Sequence, residues 1–177
     1  MTSKNDWFPS TLRDRAVWFH RFTNEMLEIG PFLGFSHARE LGRLIAEQGW
    51  VVITGGRNAG VMNAASQGAK EVGGGLAIAI LPSAEIEVSR AADVAVVTGM
   101  GEARNNVIVL SADVVIACGV DDAGTASEVS LALKAGKPVI LVAAGDAAER
   151  FFSGIGGEKI HIAGTPADAV AIATRLV

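Results

Sequence analysis

The chain has 177 residues, of which half are hydrophobic and 19% charged, with a net charge of −4. That length serves one domain with a sizeable core, and the composition is too apolar for global disorder. The acidic balance excludes a general electrostatic footprint for nucleic acid or an acidic membrane face, and leaves only a local arginine cluster to hold a phosphate. Cys118 is the sole cysteine, so an internal disulfide and cysteine-based zinc ligation are excluded. His20, His37 and His161 stand far apart, without metal-ligand spacing, and no protein-bound metal site is expected. The opening MTSKNDWFPS lacks a signal pattern and no apolar run reaches membrane-spanning length. A cytoplasmic protein is the simplest expectation.

In chain order, the first 35 residues hold seven of the ten aromatics: Trp7, Phe8, Trp18, Phe19, Phe22, Phe32 and Phe35. Leu12, Ala16, Phe19, Phe22, Met26 and Ile29 recur at helical spacing, which predicts an amphipathic helix over 11–29. Its stripe reads either as docking on its own domain or as a subunit contact. We therefore divide the chain into an N-terminal segment, 1–35, and a ligand-binding domain, 36–177. Helices are then predicted at about 37–48, 60–72, 103–110, 125–135 and 166–176. Between them, the runs 51–53, 76–81, 94–97, 114–117 and 139–143 are apolar without alternation, as in parallel strands buried on both faces. Gly49, Gly73 and Gly136 stand where a left-handed residue would end a helix. His161 lies in a further short strand, KIHIAG, and reads as structural. Alternating strands and helices predict an α/β three-layer sandwich with a Rossmann-like, doubly wound parallel sheet and an atypical N-terminal helical segment.

Three loops run from strand to helix, where open parallel sheets bind ligands. The first, with Gly55, Gly56, Arg57, Asn58 and Gly60 ahead of Met62, reads as an anion site or as a tight turn with a solvated arginine. The second contains Thr98, Gly99, Gly101, Arg104 and Asn105. It nearly matches the dinucleotide fingerprint, but Arg104 replaces the third glycine that lets helix and strand pack closely, so no NAD is expected. Arg104 reads as a ligand-facing cation or as an ion pair with Glu102 or an aspartate. The third loop, Gly119 to Thr125 with Gly124, lacks the P-loop lysine, which argues against ATP or GTP hydrolysis. Asp122 reads as a helix N-cap. Glu128 reads either as a dipole complement in the first turns of its helix or as a ligand-site carboxylate. Cys118, at a strand end, reads as a small buried apolar residue.

Taken in order, GGRNAGVMNAASQGAKEVGG, TGMGEARNNVIVLSADVVIACG and AGTASEVSLALKAGKPVIL resemble the LONELY GUY-like, "possible lysine decarboxylase" superfamily of Rossmann proteins. The resemblance covers roughly residues 38–177 and is nearest to the molybdenum cofactor carrier branch. It implies non-catalytic binding of a phosphorylated pterin, the molybdenum cofactor, in a homodimer or tetramer. The ligand's anionic ends would be held by the 55–60 loop, Arg104 with Asn105, and the Gly124–Thr125 helix start. The enzymes of the same superfamily imply an alternative, a nucleoside 5′-monophosphate phosphoribohydrolase that releases a free base, with Arg104 and Glu128 catalytic. Gly124, Thr125 and Glu128 match half of their Pro-Gly-Gly-x-Gly-Thr-x-x-Glu loop. Asp121, Asp122 and Ala123 stand in place of the other half, and Asn105 stands where those enzymes carry lysine. Relatives also begin with a strand and a glycine loop. Here MLEIGPFLGFSHARELG suggests at most a short strand around 27–29.

Overall fold

A computed structural model describes residues 16–20 and 31–177, with side chains from residue 34 onward. Seven strands form one sheet in the order β4-β3-β2-β1-β5-β6-β7, with every pair parallel. They are β1 (Ala16–His20), β2 (Val51–Thr54), β3 (Leu76–Leu81), β4 (Val94–Val97), β5 (Val114–Cys118), β6 (Val139–Val142) and β7 (Ile160–Ala163). The helices are α1 (Pro31–Glu47), α2 (Gly60–Lys70), α3 (Arg104–Ser111), α4 (Ala123–Lys134), α5 (Asp146–Gly156) and α6 (Pro166–Leu176). The chain winds outward from β1 to β4, then returns to the other side of β1 and winds outward again to β7. The switch point therefore lies between β1 and β5. Helices α2, α1 and α6 cover one face, and α3 and α4 pack together on the other.

The central strands divide their side chains between two cores. Val114, Ile116 and Cys118 join the core under α1, α2 and α6, whereas Val115 and Ala117 join the other. Val52, Ile140 and Val142 follow the first set; Ile53, Val139 and Leu141 follow the second. This is the period-2 pleat with both faces apolar, which is why the runs show no alternation in sequence. Each Val, Ile or Leu among them stabilises by roughly 1.5–3 kcal/mol on burial. Cys118 is fully buried, and that burial pushes its thiol up to about 12, so it packs as an inert apolar residue.

Four expectations change. First, Ala16–His20 is the strand between β2 and β5, with Val17 aligned to Val52 and Val114, and not part of a helix. The family-type first strand is thus present, eleven residues ahead of the 27–29 position considered for it. That position, with Leu12, Phe22, Met26 and Ile29, lies outside the described residues. The boundary drawn after residue 35 falls inside α1. Second, α5 was not foreseen; DAAERFFSGIG carries two glycines and buries only Phe152. Third, β4 is an edge strand exposed along its whole length, with Val94 46%, Val96 42% and Val97 53% exposed. Fourth, the left-handed residue after α2 is Gly74 (φ 86°), not Gly73, whereas Gly49 and Gly136 do end α1 and α4 with φ near +75°.

Candidate functional site

The carboxyl ends of β2, β4 and β5 lead into α2, α3 and α4, and these helix starts assemble around one side chain. Arg104, the first residue of α3, is only 2% exposed. Its Nη1 lies 3.6 Å from Glu128 Oε1 on α4, and Glu128 is fully buried. The guanidinium also packs against Gly55: a Cβ there would stand 2.9 Å from Nη1, 3.0 Å from Nη2 and 3.0 Å from the Met62 Cε. Glycine at 55 therefore makes room for the arginine from β2's end, and α3 spans the sheet end to bring it to α4. Residues from all three predicted loops meet here.

The α4 start carries its own anion. The Asp122 carboxylate accepts the Thr125 backbone N–H (2.8 Å) through Oδ1 and the Thr125 hydroxyl (3.0 Å) through Oδ2, so Asp122 is the N-cap. Burial drives the Glu128 carboxyl up to about 9; Arg104 opposes this, and the negative Asp122 and Glu102 reinforce it. Glu128 thus holds its proton at neutral pH, and the Arg104 charge is not cancelled by it. A buried arginine beside a neutral acid is suited to an incoming oxyanion.

This has a measurable consequence for stability. The folded protein keeps a proton on Glu128 that the unfolded chain releases above its ordinary 4.5, so stability falls as pH rises from there through about 9. The slope approaches at most ~1.4 kcal/mol per pH unit for one proton. Glu128→Gln, which mimics the protonated form, is expected to flatten the decline in melting temperature between pH 5 and pH 9. Equal declines in both proteins would place the titrating group elsewhere.

The other site candidates are distributed differently. In the first loop Gly56, at φ +75°, donates its N–H to Thr54 Oγ1 (3.1 Å), and Asn58 donates its N–H to the Glu87 carbonyl (2.9 Å). The Asn58 side chain also donates to the Glu87 carboxylate (2.8 Å). Two amides expected to face a ligand are therefore taken up within the protein. The partner is the 82–93 segment, which straps this loop through Ser89 N–H to the Gly56 carbonyl, Ser89 Oγ to Asn63 Oδ1, and an Arg57–Val88 bridge. The strap was missed although Ser83 to Ser89 alternate polar and apolar residues, a short strand-like signal whose partner across the loop the sequence does not name. Thr98 ties back to β3 through the Leu81 carbonyl, Gly99 is exposed, and Gly119 donates to the Val142 carbonyl. Gly60 opens α2, whose start has no side-chain cap, beside a groove of about 430 Å³ lined by Phe35, Ser36, Arg39 and Asn63. Gly124 and Asn105 sit in the first turns of α4 and α3. Among the described residues, no group of three or more His, Cys, Asp or Glu could hold a metal ion. No described helix is long and apolar enough to cross a membrane.

A doubly wound parallel sheet with a buried arginine at its switch-point end defines a Rossmann-like ligand-binding protein. The chain belongs to the SLOG cluster4 family, whose model matches residues 33–170. It is 43% identical to a molybdenum cofactor binding protein from Rippkaea orientalis, with 93% of this chain and 98% of that one covered and a TM-score of 0.82. It is 40% identical to the molybdenum cofactor carrier protein of Chlamydomonas reinhardtii, covering 92% and 98% of the two chains with a TM-score of 0.83. An uncharacterized protein of Archaeoglobus fulgidus is 48% identical over 102 residues, 58% of this chain. The matched stretch spans 66% of that relative.

Proposed function

We propose that this protein binds the molybdenum cofactor and carries it without chemical change. The observation that carries the reading is the Arg104–Gly55–Glu128 cluster at the switch point, in a chain 40–43% identical overall to cofactor-binding and carrier proteins. Arg104 would take the terminal phosphate or the oxyanionic metal end, with the neutral Glu128 carboxyl adding no repulsion. The catalytic reading loses its support at the same place. Asp122, which stands where the hydrolases carry glycine, is committed to capping α4, and its charge helps keep Glu128 protonated. The Pro-Gly-Gly half of the enzymes' loop is thereby absent, and Asn105 stands where they carry lysine. We further assign the protein to the cytoplasm as a homo-oligomer; the exposed apolar edge of β4 with Met100 (50% exposed) supports a subunit contact.

Equilibrium dialysis against purified molybdenum cofactor, followed by recovery of the bound fraction, tests the function. Saturable binding with the cofactor recovered intact is expected, together with no release of adenine from AMP. Release of free base at the expense of binding would overturn the carrier reading.

A further inference from the structure

Asn105 follows Arg104 in the first turn of α3, on the helix side that also buries Ile108 and Val109. It is 4% exposed, and its Oδ1 is buried with no hydrogen-bond donor among the described residues. A buried amide oxygen without a donor costs roughly 1–3 kcal/mol, and native proteins keep few of them without a reason. The contrast with the neighbouring helix start is direct, since both Asp122 oxygens at α4 are filled by Thr125. An acceptor oxygen repels phosphate and oxyanions. Its complement is an N–H.

We propose that Asn105 is the specificity contact of this site: its Oδ1 accepts a hydrogen bond from a ring N–H or exocyclic amine of a nitrogen heterocycle. Arg104 takes the anionic end of the same ligand. Two successive residues of one helix then sort the ligand by chemistry and fix which way round it enters. A site that leaves a polar atom unpaired discriminates strongly against ligands lacking the matching donor. The inference rests on the carrier reading for the ligand's identity, though not for the donor chemistry.

The test uses the full chain, wild type and Asn105→Leu, with two probes: molybdenum cofactor, and 6-carboxypterin, which keeps the heterocycle but has neither phosphate nor metal. Ligand-free Asn105→Leu is expected to melt no lower than wild type, because the unpaired oxygen is gone. Both probes are expected to bind it at least tenfold more weakly. A lower melting temperature for the variant would show a structural role and overturn the proposal. Unchanged cofactor affinity would overturn it too, while leaving the carrier function standing. Pterin binding that depends on Asn105, without cofactor binding, would uphold the contact and remove the carrier reading. A wild type that binds neither probe overturns both.

Discussion

Arg104→Ala is expected to weaken molybdenum cofactor binding by roughly 30-fold or more, about 2 kcal/mol, without unfolding the protein. The side chain is 2% exposed, so its charge acts where water screens little. Glu128 holds its proton, so removing the arginine leaves no buried carboxylate charge behind and the fold loses little. Arg104→Lys keeps the charge and discards the planar fork, and should fall between alanine and wild type. An anion bound beside Glu128 favours the protonated form further. Affinity should therefore be highest below the Glu128 value of about 9 and decline above it. Isothermal titration of the three proteins at pH 7 and wild type at pH 9.5 checks both points. Equal affinity for all three proteins would move the ligand away from this crevice.

Gly68→Ala is expected to destabilise by about 3 kcal/mol, lowering the melting temperature by roughly 6–12 °C for a domain of this size. In an ordinary exposed helix the same change stabilises by up to about 1 kcal/mol. Here a Cβ at Gly68 would lie 1.8 Å from the Arg39 carbonyl oxygen, and one at Gly42 would lie 2.0 Å from that of Ala65. Helices α1 and α2 thus cross with backbone against backbone, and a backbone carbonyl has no rotamer by which to yield. Separating them would also shift the α2 start that places Gly55 and Met62 against Arg104. Gly154→Ala on α5, where a Cβ meets nothing within 4 Å, is the control and should be neutral or stabilising. Matching losses at both positions would dismiss the close crossing as the cause.

Much of the fold was readable because a parallel sheet writes itself into sequence as unbroken apolar runs separated by helices. Strands 51–54, 76–81, 94–97, 114–118 and 139–142 all lie where the runs lie. The first strand was misread for a related reason. AVWFH is a short apolar run too, and at that length a buried strand and a helix segment look alike, so the helical spacing of its neighbours decided wrongly. The exposure of β4 was illegible because burial of an edge strand depends on which helices cross it, a fact of topology.

For the site, the residue types and their order along the chain marked out Arg104, Gly55, Glu128 and the Asp122 cap as candidates, because glycine loops that lead from a strand into a helix let backbone approach a ligand closely. Which of their groups remain available to a ligand is a different matter. Thr54, Glu87 and Ser89 occupy the polar groups of the first loop, and Asp122 occupies those of Thr125. Burial turns Glu128 from a carboxylate into a neutral acid. The Asn58–Glu87 contact and the desolvation of Glu128 are set by neighbours far away in sequence, 29 residues in the first case, and only the folded chain brings those neighbours together.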